Sequence, residues 1–125
     1  MSTLTVSNIK KTGETASRDV SGVAAAWANL NGTGTIEERD SLNISNVEDE
    51  GTGQYKFHYS NNMGNGGYSV SWSAANSAGS SATAFFISGP NGNTLQVDST
   101  FCNIRNSSTL TDRDQVFFLA HGDLA

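Results

Sequence analysis

Residues 55–59 and 68–73 alternate aromatic or aliphatic side chains with polar ones, reading Tyr55-Lys56-Phe57-His58-Tyr59 and Tyr68-Ser69-Val70-Ser71-Trp72-Ser73. A period of two places one set of side chains on the buried face of a strand and the other set in water. The intervening residues, 60–67, are rich in Asn and Gly, which tolerate the backbone angles of turns. The two stretches are therefore predicted to be strands joined as a hairpin or near-hairpin.

Short apolar runs elsewhere predict further strands. They lie at residues 4–6, 23–27, 42–47, 84–87, 95–97, 101–104 and 116–120. Residues 20–30 are rich in alanine, but they lack the polar face of an amphipathic helix, so a strand is predicted there too. Residues 88–93, Ser-Gly-Pro-Asn-Gly-Asn, predict a turn. The fold class is therefore predicted to be all-β, an antiparallel β-sandwich of about seven to nine short strands.

Residues 1–20 differ in composition from the rest of the chain. Leu4, Val6 and Ile9 are spaced along its first half, and the second half carries almost no apolar side chain. Such a segment has too little apolar surface to order itself, whereas its apolar residues suit addition as a strand to a neighbouring molecule. We therefore predict an extended N-terminal arm and linker, with these three apolar residues as its assembly contacts, followed by a β-sandwich domain at residues 21–125.

Charge and composition exclude several classes of protein. The 125 residues fit one domain. Twelve acidic and seven basic residues give a net charge of −5, which argues against nucleic-acid binding, because phosphate contacts need a patch of Lys and Arg. No stretch approaches the roughly 18 apolar residues of a membrane span, and the N-terminus lacks the features of a signal peptide. We expect neither a nucleic-acid partner nor membrane insertion.

No pattern in the sequence predicts catalysis, a cofactor or a metal site. His58 is expected on the wet face of its strand, and His121 lies near the C-terminus. Cys102, the single cysteine, is expected to be a buried and inert thiol. The acidic turn at residues 48–50 lacks the spacing of a calcium loop and is interpreted as solvated. We therefore expect that the protein is not an enzyme.

A further interpretation is a hydrolase that degrades a polysaccharide. It would require two carboxyl groups on opposite sides of a groove. The sequence offers Glu48, Asp49, Glu50, Asp98 and Asp112 for this role. Nothing in the sequence places any two of them together, so this interpretation ranks last.

One group of motifs resembles a known family. Residues 25–36 read AAWANLNGTGTI, residues 39–45 read RDSLNIS, residues 49–55 read DEGTGQY and residues 67–70 read GYSV. They resemble a domain common in tail-fibre and other virion proteins of tailed bacteriophages, whose pattern runs A-W-V-N-F-N-G-T-G-T-V, R-D-S-F-N-V-S, D-x-G-T-G-x-Y and N-Y-S-V. The resemblance extends over residues 1–75. The family's proline before N-Y-S-V is replaced here by Gly64-Asn65-Gly66-Gly67.

The resemblance implies a structural protein of a tailed-phage virion, made in the host cytoplasm and located in the particle. We expect a tail-fibre or tail-appendage component involved in host-surface attachment, with other virion proteins as partners and a homotrimer carried over by analogy. Candidate contacts to a host-surface glycan lie in two loops and are Asn61, Asn62, Asn65, Tyr68, Asn91 and Asn93. The alternative is a capsid decoration or head-fibre protein anchored by its N-terminal arm, which the lack of a long shaft favours.

Overall fold

The computed structural model describes residues 2–9, 12–13, 18–19, 23–76, 84–86, 95–106 and 108–125. In these ranges the chain is all-β. The strands are β1 (Asn8–Ile9), β2 (Arg18–Asp19), β3 (Ala24–Asn31), β4 (Glu37–Leu42), β5 (Ile44–Gly51), β6 (Gln54–Tyr59), β7 (Ser69–Ala75), β8 (Ala84–Phe86), β9 (Ser99–Asn106), β10 (Thr109–Leu110) and β11 (Gln115–His121). Strands β1 and β2 pair with each other and, among the described residues, with no other strand.

The remaining strands form two antiparallel sheets. The first sheet has the order β4-β3-β11-β7. The second has the order β10-β9-β6-β5, and the short strand β8 also pairs with β9. This arrangement confirms the predicted antiparallel β-sandwich and its approximate number of strands.

Aromatic rings from both sheets fill the space between them. The ring centroid of Phe57 on β6 lies 5.1 Å from that of Phe118 on β11 and 5.3 Å from that of Trp72 on β7. The Trp72 and Phe118 centroids are 4.5 Å apart. Because burial of a large apolar side chain contributes about 1.5–3 kcal/mol, these contacts hold the two sheets together. The alternation of residues 55–59 is thus confirmed as a buried and an outward face.

The predicted hairpin between residues 55–59 and 68–73 is wrong. Strand β6 pairs with β5 and β9, whereas β7 pairs with β11 in the other sheet. Residues 60–68 therefore cross from one sheet to the other. Alternation specifies which face of each strand is buried, but it does not specify the strand's partner, and here the two apolar faces pack against each other across the core.

A left-handed residue divides the run at 42–47. Asn43 has a φ of 57°, in a region that Asn adopts more readily than most residues with a side chain. The chain turns sharply there, so Leu42 ends β4 in the first sheet and Ile44 begins β5 in the second. The continuous strand predicted across this position is therefore two strands.

Two other strand predictions, for residues 4–6 and 95–97, are also wrong. Residues 4–6 belong to no strand, since no neighbouring strand within the described parts of the chain pairs with them. Residues 95–97 contribute a single bridge, between Leu95 and Thr100, because the chain turns back at once through a hydrogen bond from Gln96 N to Ser99 O. Ile87 and the turn predicted at 88–93 lie outside the described residues.

Two glycine-rich turns close one end of the sandwich around a tyrosine. The hydroxyl of Tyr55 donates to Gly32 O at 2.7 Å and to Asp112 Oδ1 at 3.2 Å. The same carboxylate accepts a hydrogen bond from Gly53 N at 2.6 Å, and Gly32 N donates to Arg113 O at 2.9 Å. Burial, followed by the nearby Asp112 carboxylate, raises the pKa of Tyr55 above its ordinary value. The hydroxyl therefore stays protonated and able to donate.

Candidate functional site

The first apolar residues of the arm are uncovered. Leu4 is 84% exposed and Val6 is 41% exposed, and residues 2–6 run outside any strand. Ile9, the third predicted arm residue, lies in β1 and pairs in register with Arg18 of β2. The prediction of an extended arm and linker did not include this strand pairing. Leu4 and Val6 are therefore the arm residues that the structure shows as exposed apolar surface.

The loop between β6 and β7 is held in place by asparagine side chains, one in the loop and one, Asn43, between β4 and β5. Asn61 N donates to Asn43 Oδ1 at 2.8 Å, and Asn65 Oδ1 accepts a hydrogen bond from Gly67 N at 2.7 Å. Asn61, Asn62 and Asn65 are all exposed. These three candidate contacts therefore lie at the surface, on a loop whose conformation is fixed by hydrogen bonds. Binding residues are commonly found on such loops.

Tyr68 has a different role from the one predicted for it. It is buried, and its hydroxyl donates to Gln96 O at 2.9 Å and to Ser99 O at 3.1 Å. Its ring meets that of Tyr59 edge-on at a centroid distance of 5.9 Å. Tyr68 is thus chiefly a core residue, because the inward face that continues along β7 begins with it, although it also lines the cleft beside this loop. The other two candidates, Asn91 and Asn93, lie outside the described residues.

A cleft of about 280 Å³ with both polar and apolar surface at its walls lies beside this loop, and we call it the polar cleft after its hydrogen-bonding residues. The side chains at its wall include Asn65, Ser69, His121 and Asp123. The C-terminal residues reach it because Gly64 N donates to Asp123 O at 2.8 Å. Amide, hydroxyl, imidazole and carboxylate groups around one cleft suit a small ligand rich in hydroxyls. His121 and Asp123 were not predicted from the sequence as members of this site, since no local pattern predicts that the C-terminal residues return to residues 60–68.

The outer face of the first sheet carries an apolar row. Trp27 on β3 is in register with Leu42 on β4 and with Leu119 on β11, and we call these three residues the Trp27 row. Phe117 lies two residues from Leu119 on the same face. Leu42 is 47% exposed and Phe117 is 40% exposed. An uncovered apolar surface on an otherwise polar domain is typical of a protein–protein contact.

A shallow apolar groove continues this face toward β7. It has a volume of about 230 Å³ and lies between β7 and β11. Its outward side chains are Ser71, Ser73, Phe117 and Leu119. The apolar surface therefore extends from β4 to β11 and into the groove beside β7.

The carboxylates considered for hydrolysis serve local contacts. Glu48 Oε2 lies 2.9 Å from Nε2 of His58, which is on the outer face of β6 as predicted. Asp49 Oδ1 accepts from Gly51 N in the hairpin turn, and Asp112 holds Gly53 and the Tyr55 hydroxyl as described above. No cluster of three or more potential metal ligands occurs among the described residues.

The contact between Glu48 and His58 predicts a pH-dependent contribution to stability. The approach of His58 holds the pKa of Glu48 below its ordinary value of 4.5. A carboxyl whose pKa is lowered on folding stabilises the fold above its unfolded pKa and loses that contribution as the pH falls through its folded pKa. Glu48→Gln is therefore expected to lower the urea midpoint slightly at pH 6, with the difference disappearing toward pH 2. Glu37→Gln on β4 is the matched control, and an equal difference at both pH values would contradict the prediction.

Cys102 is buried, as the sequence analysis predicted. It points into the core in register with Tyr55, and burial raises the pKa of its thiol to about 12. We expect the folded protein to react with dithionitrobenzoate at the rate of global unfolding, and at once when urea is added. Rapid reaction in the native state would show that the thiol is accessible.

Comparisons with protein-family models, with curated protein sequences and with solved structures found no match. In the described parts of the chain, no helix has the length and hydropathy needed to cross a membrane. The candidate surfaces for assembly or ligand binding in the described structure are the arm, the Trp27 row with its groove, and the polar cleft.

Proposed function

We propose that this chain is a structural protein of a tailed-phage virion, acting as a tail-fibre or tail-appendage component in host-surface attachment and not as an enzyme. The observation that carries the proposal is the Trp27 row, a partly exposed apolar row on the outside of a sandwich whose core is already filled. The motifs at residues 25–55, which resemble those of tailed-phage virion proteins, also support the proposal.

The Trp27 row is not needed to complete the sandwich core. The residues that flank Trp27 along β3, Ala26 and Ala28, face inward and are buried within the core. An outward Trp with a neighbouring Phe is therefore available for contact with another molecule, and these two residue types are enriched at protein interfaces. Association of identical chains through this face fits the proposed homotrimer.

The polar cleft supplies a surface for the attachment step. Asn65, Ser69, His121 and Asp123 bring hydrogen-bonding groups to one recess. Host-surface glycans present hydroxyl groups, which such groups recognise. Under this proposal the loop at residues 60–68 and the C-terminal residues together contact the host.

The alternative function is capsid decoration or a head fibre. The observation that favours it is the exposed arm, since Leu4 at 84% exposure has no covering partner in the described structure. A decoration subunit would insert this segment into a capsid protein. Copy number separates the two functions, because decoration needs hundreds of copies in a particle and an appendage needs a few dozen at most.

Gold-labelled antibodies raised against the purified protein test the proposal on virions purified from lysates in which the chain is expressed. Label at the tail or its appendages, with a low copy number by quantitative mass spectrometry, is the expected result. Label over the whole head would favour decoration. Absence of the chain from purified particles would contradict both functions, and preimmune serum on the same particles is the control.

A further inference from the structure

We propose that the edge of β7 that is unpaired among the described residues accepts residues 2–6 of a second copy of this chain as an added β-strand. This inference deepens the proposed function, because it rests on self-assembly and names a contact between copies. The evidence for it is that β7 and residues 2–6, both uncharged, have matching patterns of apolar and small polar side chains.

Strand β7 is an edge strand without the usual protection. It ends the order of the first sheet, and its only strand partner among the described residues is β11. Its sequence, Ser-Val-Ser-Trp-Ser-Ala-Ala, contains no charge and no proline. An edge strand presents unpaired backbone N–H and C=O groups, and proteins normally protect such edges with charges, prolines or bulges.

The edges formed by β4 and β5 have that protection. Strand β4 begins Glu-Glu-Arg-Asp, and β5 ends with Glu48, Asp49 and Glu50 before its final glycine. Because the whole chain has a net charge of −5, two copies repel each other along these acidic edges. The edge of β7 carries no charge, so a second copy meets no like charge along this strand.

The two faces of β7 differ in chemistry. Val70, Trp72 and Ala74 point inward and pack on the core while remaining only partly buried. Ser69, Ser71 and Ser73 point outward and are exposed. A strand added at this edge would therefore need apolar side chains on one face and small polar side chains on the other, since paired strands share their faces.

Residues 2–6 have that pattern. Leu4 and Val6 fall on one face of an extended segment, and Thr3 and Thr5 fall on the other. All of these side chains are exposed and the segment carries no charge. Pairing would place Leu4 and Val6 beside the inner row of β7 and the threonines beside its serines. The added backbone hydrogen bonds and the covered apolar surface are the usual source of affinity in strand addition.

Disulfide trapping between two differently tagged chains tests the contact. One chain carries Thr3→Cys or Thr5→Cys, and the other carries Ser69→Cys, Ser71→Cys or Ser73→Cys, so that alternative registers are covered. Each chain has one introduced thiol and the buried Cys102. A disulfide between the tagged chains can therefore report only an intermolecular approach, provided that the two Cα atoms come within about 7 Å.

Asn46→Cys on the exposed part of β5 is the matched control, because it places the thiol on an acidic edge of the sandwich. We expect at least one β7 position to cross-link about tenfold more than the control, since docking raises the effective concentration of the two thiols. Cross-linking equal to the control at all three β7 positions would overturn the proposal. A disulfide formed within the single chain Thr5→Cys/Ser71→Cys, without cross-linking in the mixtures, would also overturn it, because the arm would then dock on its own β7.

The failure of this inference is distinguishable from the failure of the proposed function. The trapping experiment uses purified protein and reports only the contact of arm and edge. Labelling of virions reports whether the chain is part of the particle. Labelled virions without cross-linking would leave a virion protein that assembles by another surface, whereas cross-linking without labelled virions would leave strand exchange in a protein with another role.

Discussion

Gly53→Ala is expected to destabilise the sandwich by about 3 kcal/mol, through a strained backbone and an overlap that cannot relax. Gly53 has a φ of 64°. A Cβ at this position would lie 2.6 Å from both Ile104 O and Thr111 N, and 2.8 Å from Thr111 O. All three are backbone atoms, and Ile104 N donates to Gly53 O at 2.7 Å. The new methyl group would therefore have to displace β9 or the segment after β10.

Gly34→Ala is the matched control for this prediction. Gly34 has a φ of 65°, nearly the same as that of Gly53, yet a Cβ there would meet no atom within 4 Å. Its substitution should cost only the conformational strain, about 1 kcal/mol. Urea denaturation of both variants measures the difference. Equal losses of stability would show that the close packing around Gly53 does not constrain the fold.

Phe118→Ala is expected to lower the free energy of unfolding by about 3–5 kcal/mol, the usual range for truncating a buried Phe. Phe118 lies between the sheets, with its ring 4.5 Å from Trp72 and 5.1 Å from Phe57 by centroid distance. Removal of this ring would leave a cavity where the two sheets meet. Such a loss is a large part of the total free energy of unfolding of a small domain.

Phe117 provides the internal control, because it is the same residue type one position earlier and points to the opposite face. Phe117→Ala should cost less than about 1 kcal/mol, since its side chain is 40% exposed. Both variants should be unfolded at low protein concentration, where association adds little to apparent stability. A large loss for Phe117→Ala and a small one for Phe118→Ala would reverse the assignment of inner and outer faces.

Local patterns in the sequence predict the strands and their buried faces well. The period of two in β6 and β7 correctly places Phe57 and Trp72 in the core. The same pattern does not predict pairing, because partners are chosen by long-range packing of the two sheets. The sheet switch at Asn43 depends on one residue with a positive φ, and nothing in the surrounding apolar run distinguishes it from a strand residue.

The motifs that carry the resemblance have a structural explanation. A Cβ at Gly32 would overlap the hydroxyl of Tyr55, which donates to the carbonyl of the same glycine. Gly53 allows the approach of Ile104 and Thr111, as argued above. The N-G-T-G-T and D-x-G-T-G-x-Y patterns are therefore requirements of the fold at one end of the sandwich, and they do not by themselves define a binding site.

The candidate site was harder to predict than the fold. Exposed loop asparagines follow from composition, and Asn61, Asn62 and Asn65 are at the surface. The polar cleft also needs His121 and Asp123, which reach Asn65 only because the C-terminal residues return to the loop. The Trp27 row is equally nonlocal, since it brings together residues from β3, β4 and β11. Single-strand periodicity contains no information about such neighbours.

The solution mass of the purified 125-residue chain, measured by light scattering over a range of concentrations, tests most directly whether the protein assembles with itself. The partly exposed Trp27 row and the edge of β7 predict self-association, and the proposed homotrimer would have three times the chain mass of 13.2 kDa. Closed assemblies of this kind form when a head-to-tail contact returns to its first subunit. A monomer at every concentration would contradict the account, because both surfaces would then remain exposed without a partner of the same chain.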